Sequence, residues 1–179
     1  LKSGATSLAS GARVRLGFPR ANSREGNWLF NNAHVEARGH YSSKLEHFLA
    51  FADWLELPRA DVRFGLRLDE SEEDRVDALL DSVPRPFLAA WVGSSCESRL
   101  WFPDRVARVI EALAARGTST VLVGGPGDVD FAAQVEAASA APVRNLAGKT
   151  GLRDLVGIFS RASVTFGPDS GPMHIAAAV

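Results

Sequence analysis

The second half of the chain alternates short apolar runs with segments of helical periodicity, and this alternation constrains the fold most strongly. The run at 87–92 is continuously apolar, as in a strand buried on both faces. The predicted strands are 87–92, 118–123, 143–146 and 163–166, and the predicted helices are 103–116, 128–138, 152–161 and the segment from 170 onward. Alternating strands and helices predict a parallel α/β sheet with right-handed crossovers, which is a Rossmann-like arrangement.

The first half has a less regular pattern. It predicts strands at 14–18 and 62–68, helices at 42–57 and 70–82, and loop with short extended pieces across 19–40. Pro84 and Pro86 then predict a stiff linker. We therefore predict two domains, covering residues 1–83 and 84–179.

Composition excludes several classes of protein. The 179 residues are 46% hydrophobic with a net charge of −1, which excludes whole-chain disorder and argues against broad nucleic-acid binding. The sequence has no apolar stretch long enough to span a membrane. A lone cysteine, Cys96, has no internal disulfide partner and favours a reducing compartment. Because the sequence begins at Leu1 and stops at Val179 inside a predicted helix, we interpret it as a fragment of a longer protein.

Ligands of open α/β sheets bind beyond the carboxyl ends of the strands, so the strand-to-helix turns are the candidate sites. In the last turn, Asp169 or Ser170 can cap the following helix, and Gly171 permits close approach to the backbone. The helix start is then either an anion site or simply a well-capped helix. His174 lies one turn further along this helix. A single histidine on a helix is more often structural than functional, so its residue type alone favours a structural role.

The other turns hold residues with two interpretations each. Asp128 could cap the next helix or hold a ribose hydroxyl. Arg99 could neutralise a phosphate or be a surface charge. Gly148 and Lys149 resemble the end of a P-loop, but the residue five positions before Gly148 is not the glycine that a P-loop requires. We therefore interpret Lys149 as a solvated loop charge. The basic residues of 13–24 could bind an anion, although a solvated basic face is the plainer interpretation.

Metal and dinucleotide signatures are absent from the sequence. The four histidines and Cys96 show no ligand spacing, and no Gly-x-Gly-x-x-Gly follows a predicted strand. We therefore predict no metal and no cofactor.

Several motifs together resemble the ADP-heptose:lipopolysaccharide heptosyltransferases, glycosyltransferase family 9. The run at 166–178, FGPDSGPMHIAAA, closely resembles the hallmark of that family. The second half agrees with the family in order and spacing at 93–103, 122–126 and 145–152, and looser similarities lie at 2–3, 15–18, 23–25 and 29–32. The sequence departs from the family pattern at Arg99, where lysine is usual, and at Phe102, an extra residue before Pro103. Arginine keeps the charge but offers a planar fork rather than a point.

The resemblance implies a GT-B enzyme with two Rossmann-like domains, here the end of the N-terminal one and most of the C-terminal one. The implied reaction is inverting transfer of heptose from ADP-heptose to the anionic inner core of lipopolysaccharide, at the inner membrane face. The implied location is cytoplasmic, either free or peripheral on that membrane. The general base is expected upstream of Leu1, so we expect this chain alone to be inactive. Alternatives are a nucleotide-sugar epimerase, a transferase using another nucleotide-sugar, and a non-catalytic nucleotide-binding remnant.

The resemblance also assigns residues to the two substrates. The residues it places at the acceptor are Lys2 and Arg24. The residues it places at the donor are Ser94, Ser95, Arg99, Asp128, Thr150, Asp169, Ser170, Gly171 and His174. Among these, Asp128 would contact the ribose and Thr150 would lie near the adenine.

Overall fold

The computed structural model describes residues 2–59 and 61–179, which form two compact units, residues 1–62 and 63–179. The first unit contains α1 (Lys2–Ala9), β1 (Leu16–Gly17), β2 (Ala33–His34) and α2 (Lys44–Trp54). The two short strands pair in parallel, with Leu16 opposite Ala33. Strand β1 lies inside the strand predicted at 14–18, and α2 lies inside the helix predicted at 42–57.

The second unit is an α/β fold, as predicted. Its strands are β3 (Phe87–Trp91), β4 (Ser119–Val123), β5 (Val143–Asn145) and β6 (Val164–Phe166). Its helices are α3 (Glu70–Leu79), α4 (Pro103–Ala114), α5 (Val129–Ala138), α6 (Leu152–Arg161) and α7 (Gly171–Ala176). The sheet order is β5-β4-β3-β6 with every pair parallel, so the predicted parallel sheet is confirmed.

The sheet is covered by helices on both faces. Phe87 and Ala89 of β3 pack with the apolar residues of α3 and α6, whereas Leu88 and Ala90 pack with those of α4 and α5. This alternation follows from the two-residue side-chain period of a strand. Residues 87–90 are all buried, as the continuous apolar run predicted.

The strand predicted at 62–68 is wrong, because the described residues 61–69 form no strand. Gly65 has a φ of +65°, and Val62 and Phe64 are exposed. Alternating apolar residues form a strand only where a neighbouring strand accepts their hydrogen bonds, and this segment pairs with none among the described residues.

Helix α3 belongs to the second compact unit, which begins at residue 63. The acceptor-binding and donor-binding domains, 1–83 and 84–179, stay a prediction. Val76 and Leu80 are buried in the same cluster as Leu155 and Ile158 of α6. The close approach depends on Gly157, where a Cβ would overlap Leu68 and Val76. Within the described ranges, no helix has the length and apolar character needed to cross a membrane.

Candidate functional site

The order of the strands creates a crevice between β3 and β6. The chain proceeds from β3 to β4 and β5 on one side, and then returns to place β6 on the other side of β3. The loops after β3 and β6 therefore leave the sheet in opposite directions, and such a switch point is where open α/β sheets bind ligands.

An open pocket of about 420 Å³ lies at this point, which we call the switch-point pocket. Its walls come from the loops that follow β3, β4 and β6. The lining residues are Trp91, Gly93, Ser94, Ser95, Arg99, Asp128, Asp169, Ser170, Gly171 and Pro172. The structure thus brings together seven of the nine residues that the sequence assigned to the donor; Thr150 and His174 are not in the lining.

Arg99 and Asp169 join the two loops across this pocket. Arg99 Nη1 donates to the backbone carbonyl of Asp169 at 3.2 Å and lies 3.6 Å from its Oδ2. His174 Nε2 lies 3.9 Å from the other carboxylate oxygen, which places His174 at the rim. Because Arg99 is 51% and Asp169 75% exposed, this ion pair contributes little to stability and can exchange for a ligand.

The loop after β3 is shaped by its own hydrogen bonds. Cys96 N donates to Ser94 Oγ at 3.2 Å, and Arg99 N donates to the carbonyl of Cys96 at 3.0 Å. The Cys96 thiol lies 3.1 Å from Ser98 Oγ, and this hydrogen bond lowers the pKa of the thiol. The backbone bond from Arg99 N to Cys96 closes a short 3₁₀ turn, Glu97–Arg99, which the sequence analysis did not predict and which presents Arg99 to the pocket.

The start of α7 was open to two interpretations, an anion site or a well-capped helix. Ser170 is at the N-cap position, but no side chain makes a capping hydrogen bond there. The Ser170 hydroxyl instead donates to the carbonyl of Pro168 at 3.0 Å. A Cβ on Gly171 would meet open space, so glycine leaves room for a ligand there and relieves no clash within the described protein. Capping by the Ser170 side chain is therefore not observed, and the anion site stays a prediction.

Asp128 has a structural contact as well as a place in the pocket. Its Oδ2 accepts a hydrogen bond from Gly125 N at 2.7 Å, and its side chain does not cap α5, which was one of the two interpretations of this residue. A Cβ on Gly93 would overlap this carboxylate. Gly93 therefore allows the loops after β3 and β4 to meet, and Asp128 lines the pocket from the β4 side.

Thr150 lies in the loop 148–151, which follows β5. Gly148 N donates to the carbonyl of Gly124 at 2.9 Å, so this loop lies directly beside the loop after β4. Thr150 Oγ1 is buried and has no hydrogen-bond partner among the described residues. The Lys149 side chain donates to the carbonyl of Asn145 at 3.1 Å, which ties it to its own loop.

The first unit has a separate basic pocket of about 430 Å³. It is lined by Ala21, Asn22, Ser23, Arg24, Arg38, His40, Lys44 and His47. Arg24, which the resemblance assigned to the acceptor, lines this pocket, whereas Lys2, at the start of α1, does not. The sequence analysis missed Lys44 and His47, although their spacing of three residues on α2 places them on one helix face.

Comparison with known proteins identifies the family. The family model for glycosyltransferase family 9 (heptosyltransferase) matches residues 1–179. The chain is 28% identical over 173 residues to the lipopolysaccharide core heptosyltransferase OpsX of Haemophilus influenzae, covering 95% of this chain and 49% of that protein.

Solved structures agree on the fold. The glycosyl transferase family 9 structure from Veillonella parvula gives a TM-score of 0.77 at 18% identity, with 99% of this chain and 51% of that chain covered. The structure of E. coli heptosyltransferase WaaC with ADP gives a TM-score of 0.67 at 20% identity, with 99% of this chain and 54% of that chain covered. The chain thus spans about half the length of the proteins it matches. Its α/β fold is that of the family's GT-B enzymes, and the chain belongs to glycosyltransferase family 9.

Proposed function

We propose that the switch-point pocket binds the diphosphate of ADP-heptose and that the protein transfers the heptose to the inner core of lipopolysaccharide. One observation carries the proposal. The same pocket is lined by a cation, by a helix start without a side-chain cap, and by a glycine whose Cβ position is open space. Arg99 supplies the charge, the backbone at Gly171 supplies an N–H group, and both lie where an α/β sheet binds its ligand. The ADP in the E. coli WaaC structure supports the choice of nucleotide.

The order of the loops along the sheet sets the direction in which the bound nucleotide extends. The diphosphate lies between the loops after β3 and β6, the ribose meets Asp128 after β4, and the adenine reaches Thr150 after β5. Neighbouring strands are about 4.8 Å apart, so the path from β3 to β5 is roughly 10 Å. A nucleoside extended from its diphosphate can bridge that distance.

The chemistry is a single displacement at the anomeric carbon with inversion. A general base removes the proton from the acceptor hydroxyl, and we assign no residue of the switch-point pocket to that role. Negative charge develops on the departing ADP, where Arg99 and the Gly171 N–H stabilise it. The transition state resembles an oxocarbenium ion.

The first unit is proposed to hold the acceptor. Its basic pocket combines Arg24 and Lys44 with Arg38, whose guanidinium also pairs with Asp53 at 2.7 Å, and the two remaining cations suit the phosphate or carboxylate groups of an inner-core saccharide. Lys2 is proposed to contribute at the edge of this surface. An acceptor carried on lipid A would place the reaction in the cytoplasm, with the enzyme free or peripheral at the inner membrane.

A transfer assay tests this function in the protein that carries this sequence. Incubation with ADP-heptose and heptose-deficient lipopolysaccharide is expected to release ADP and to add heptose with inverted configuration. Arg24→Ala should raise the acceptor KM without changing the donor KM. Epimerised free nucleotide-sugar without transfer would establish an epimerase instead. ADP binding without turnover would establish a nucleotide-binding remnant.

A further inference from the structure

Three groups of ion pairs join α3 to α6, and they differ in what else they touch. Arg153 pairs with Glu72, and Arg161 pairs with Glu73 and Asp77. These pairs link one helix to the other. The third pair, Arg75 with Asp154, also reaches the loop 148–151.

Asp154 is the buried member of this pair. It is 5% exposed, and its two carboxylate oxygens have different partners. Oδ2 accepts from the backbone N of Gly151 at 2.8 Å, and Oδ1 accepts from Arg75 Nε at 2.8 Å. The carboxylate therefore fixes the end of the loop and the arginine together.

Arg75 holds the other side of the same loop. Its Nη2 donates to the backbone carbonyl of Lys149 at 3.4 Å. The contacts of Arg75 and Asp154 thus fall on the residues immediately before and after Thr150. Gly148 provides a third anchor through its hydrogen bond to Gly124, with a φ of +74° that favours glycine.

We propose that Arg75 and Asp154 are positioning residues for the nucleobase end of the donor. This inference rests on the proposed function, in which the loop 148–151 meets the adenine. Arg75 acts on the ligand through the loop backbone, because it bonds to Lys149 and not to the switch-point pocket. A loop already held in place loses less conformational freedom on binding, which strengthens affinity without a new contact.

The proposal separates the two ends of the ligand. Loss of Arg75 loosens the loop after β5 but leaves the loops after β3 and β6 intact. ADP uses both regions, whereas inorganic pyrophosphate uses the switch-point pocket alone. A loosened loop should therefore weaken the binding of ADP and leave the affinity for pyrophosphate unchanged.

Calorimetry with ADP and with pyrophosphate tests this in the protein that contains this sequence. Arg75→Met is expected to weaken ADP binding about three- to tenfold, the range for one lost hydrogen bond, and to leave the affinity for pyrophosphate unchanged. The donor KM should rise with kcat preserved at saturating donor. Arg75→Lys, which keeps one donor to Asp154, should recover part of the affinity.

Arg161→Met is the matched control. It removes ion pairs from the same α3–α6 interface without touching the loop, so it should leave both affinities at the wild-type value. Equal losses of ADP affinity in Arg75→Met and Arg161→Met would overturn the positioning role, as would equal losses for ADP and pyrophosphate in Arg75→Met. Absence of ADP binding by the wild type would overturn the proposed function, and the positioning role with it.

Discussion

Three glycines around the switch-point pocket serve different purposes. A Cβ on Gly93 would overlap the Asp128 carboxylate, and one on Gly167 would press on the backbone carbonyl of Trp91. These two glycines permit the loops to pack. Gly171 alone of the three has open space where a side chain would project, so its replacement should affect a ligand more than the fold.

In the proposed reaction, Arg99 stabilises the negative charge that develops on the departing ADP. Arg99→Ala is expected to reduce turnover roughly 10²-fold, near 2.7 kcal/mol, and to reduce donor affinity less, because its interaction strengthens as charge develops on ADP. Arg99→Lys should restore much of the rate, since a point charge can still reach the diphosphate. Steady-state kinetics with ADP-heptose and acceptor measure both effects.

Arg105→Ala provides the control for Arg99. Arg105 lies over the ring of Phe102 at 5.2 Å and does not line the switch-point pocket, so its loss should leave turnover intact. Wild-type turnover of Arg99→Ala would show that Arg99 is a surface charge held by Asp169.

At the level of residues, sequence reasoning found the components of the pocket but not their contacts. From the sequence, Asp169 or Ser170 could cap α7, yet the Ser170 hydroxyl bonds to Pro168 and Asp169 faces Arg99. The Ser170 contact depends on the local conformation of the loop, and the Asp169 contact depends on a partner 70 positions away in the chain. Neither is encoded in the local sequence pattern that suggests a cap.

At the level of elements, the helices of the second unit are well specified by local signals. Asp69 caps α3 and Glu72 reciprocates in a capping box, while acidic residues fill its first turn. The predicted bounds 152–161 match α6 in full. In contrast, α1 was not predicted, because its small polar residues give little periodicity. Its close approach to Asn27 and Phe30, which Gly4 permits, supplies the stabilising contact.

Glu72 connects the α3 cap to α6 and gives the protein a pH dependence. The hydrogen bond from Arg153 lowers the pKa of Glu72 to about 2, well below its ordinary 4.5. A lowered folded-state pKa contributes stability that is present above the unfolded-state pKa and is lost as pH falls toward the folded-state value. The contribution of Glu72 should therefore decline between about pH 4.5 and 2.

Urea unfolding of the wild type and Glu72→Gln across this range measures that contribution. The wild type should be more stable than the variant at pH 6, and the difference should shrink as pH falls below 4.5 and approach its minimum near pH 2. Glu70→Gln, in the same helical turn, keeps the Glu72–Arg153 pair and should not reproduce this pattern. A difference independent of pH would contradict the role of the Glu72 charge.

At the level of the whole molecule, the sequence predicts a parallel sheet but not the order of its strands. Apolar runs identify β3, β4, β5 and β6, whereas the position of β6 beside β3 results from long-range packing. That position decides where the crevice lies, and with it which loops face one another. The division of the chain before α3 also depends on tertiary contacts, since Val76 packs against α6 at a distance in sequence that no local pattern reveals.

The central claim is that the crevice between β3 and β6 holds the donor diphosphate. Calorimetric titration of ADP into the protein that carries this sequence, as wild type and as Gly171→Val, tests it most directly. A Cβ at this position meets open space in the described protein, so the valine adds bulk on the pocket side and ADP affinity should fall by about 1–3 kcal/mol, comparable to a lost hydrogen bond to a charged group. Gly39 lies outside this pocket, and a Cβ there would meet nothing closer than 3.7 Å, so Gly39→Val should bind ADP as the wild type does. Unchanged ADP affinity in Gly171→Val would contradict the placement of the diphosphate at this crevice.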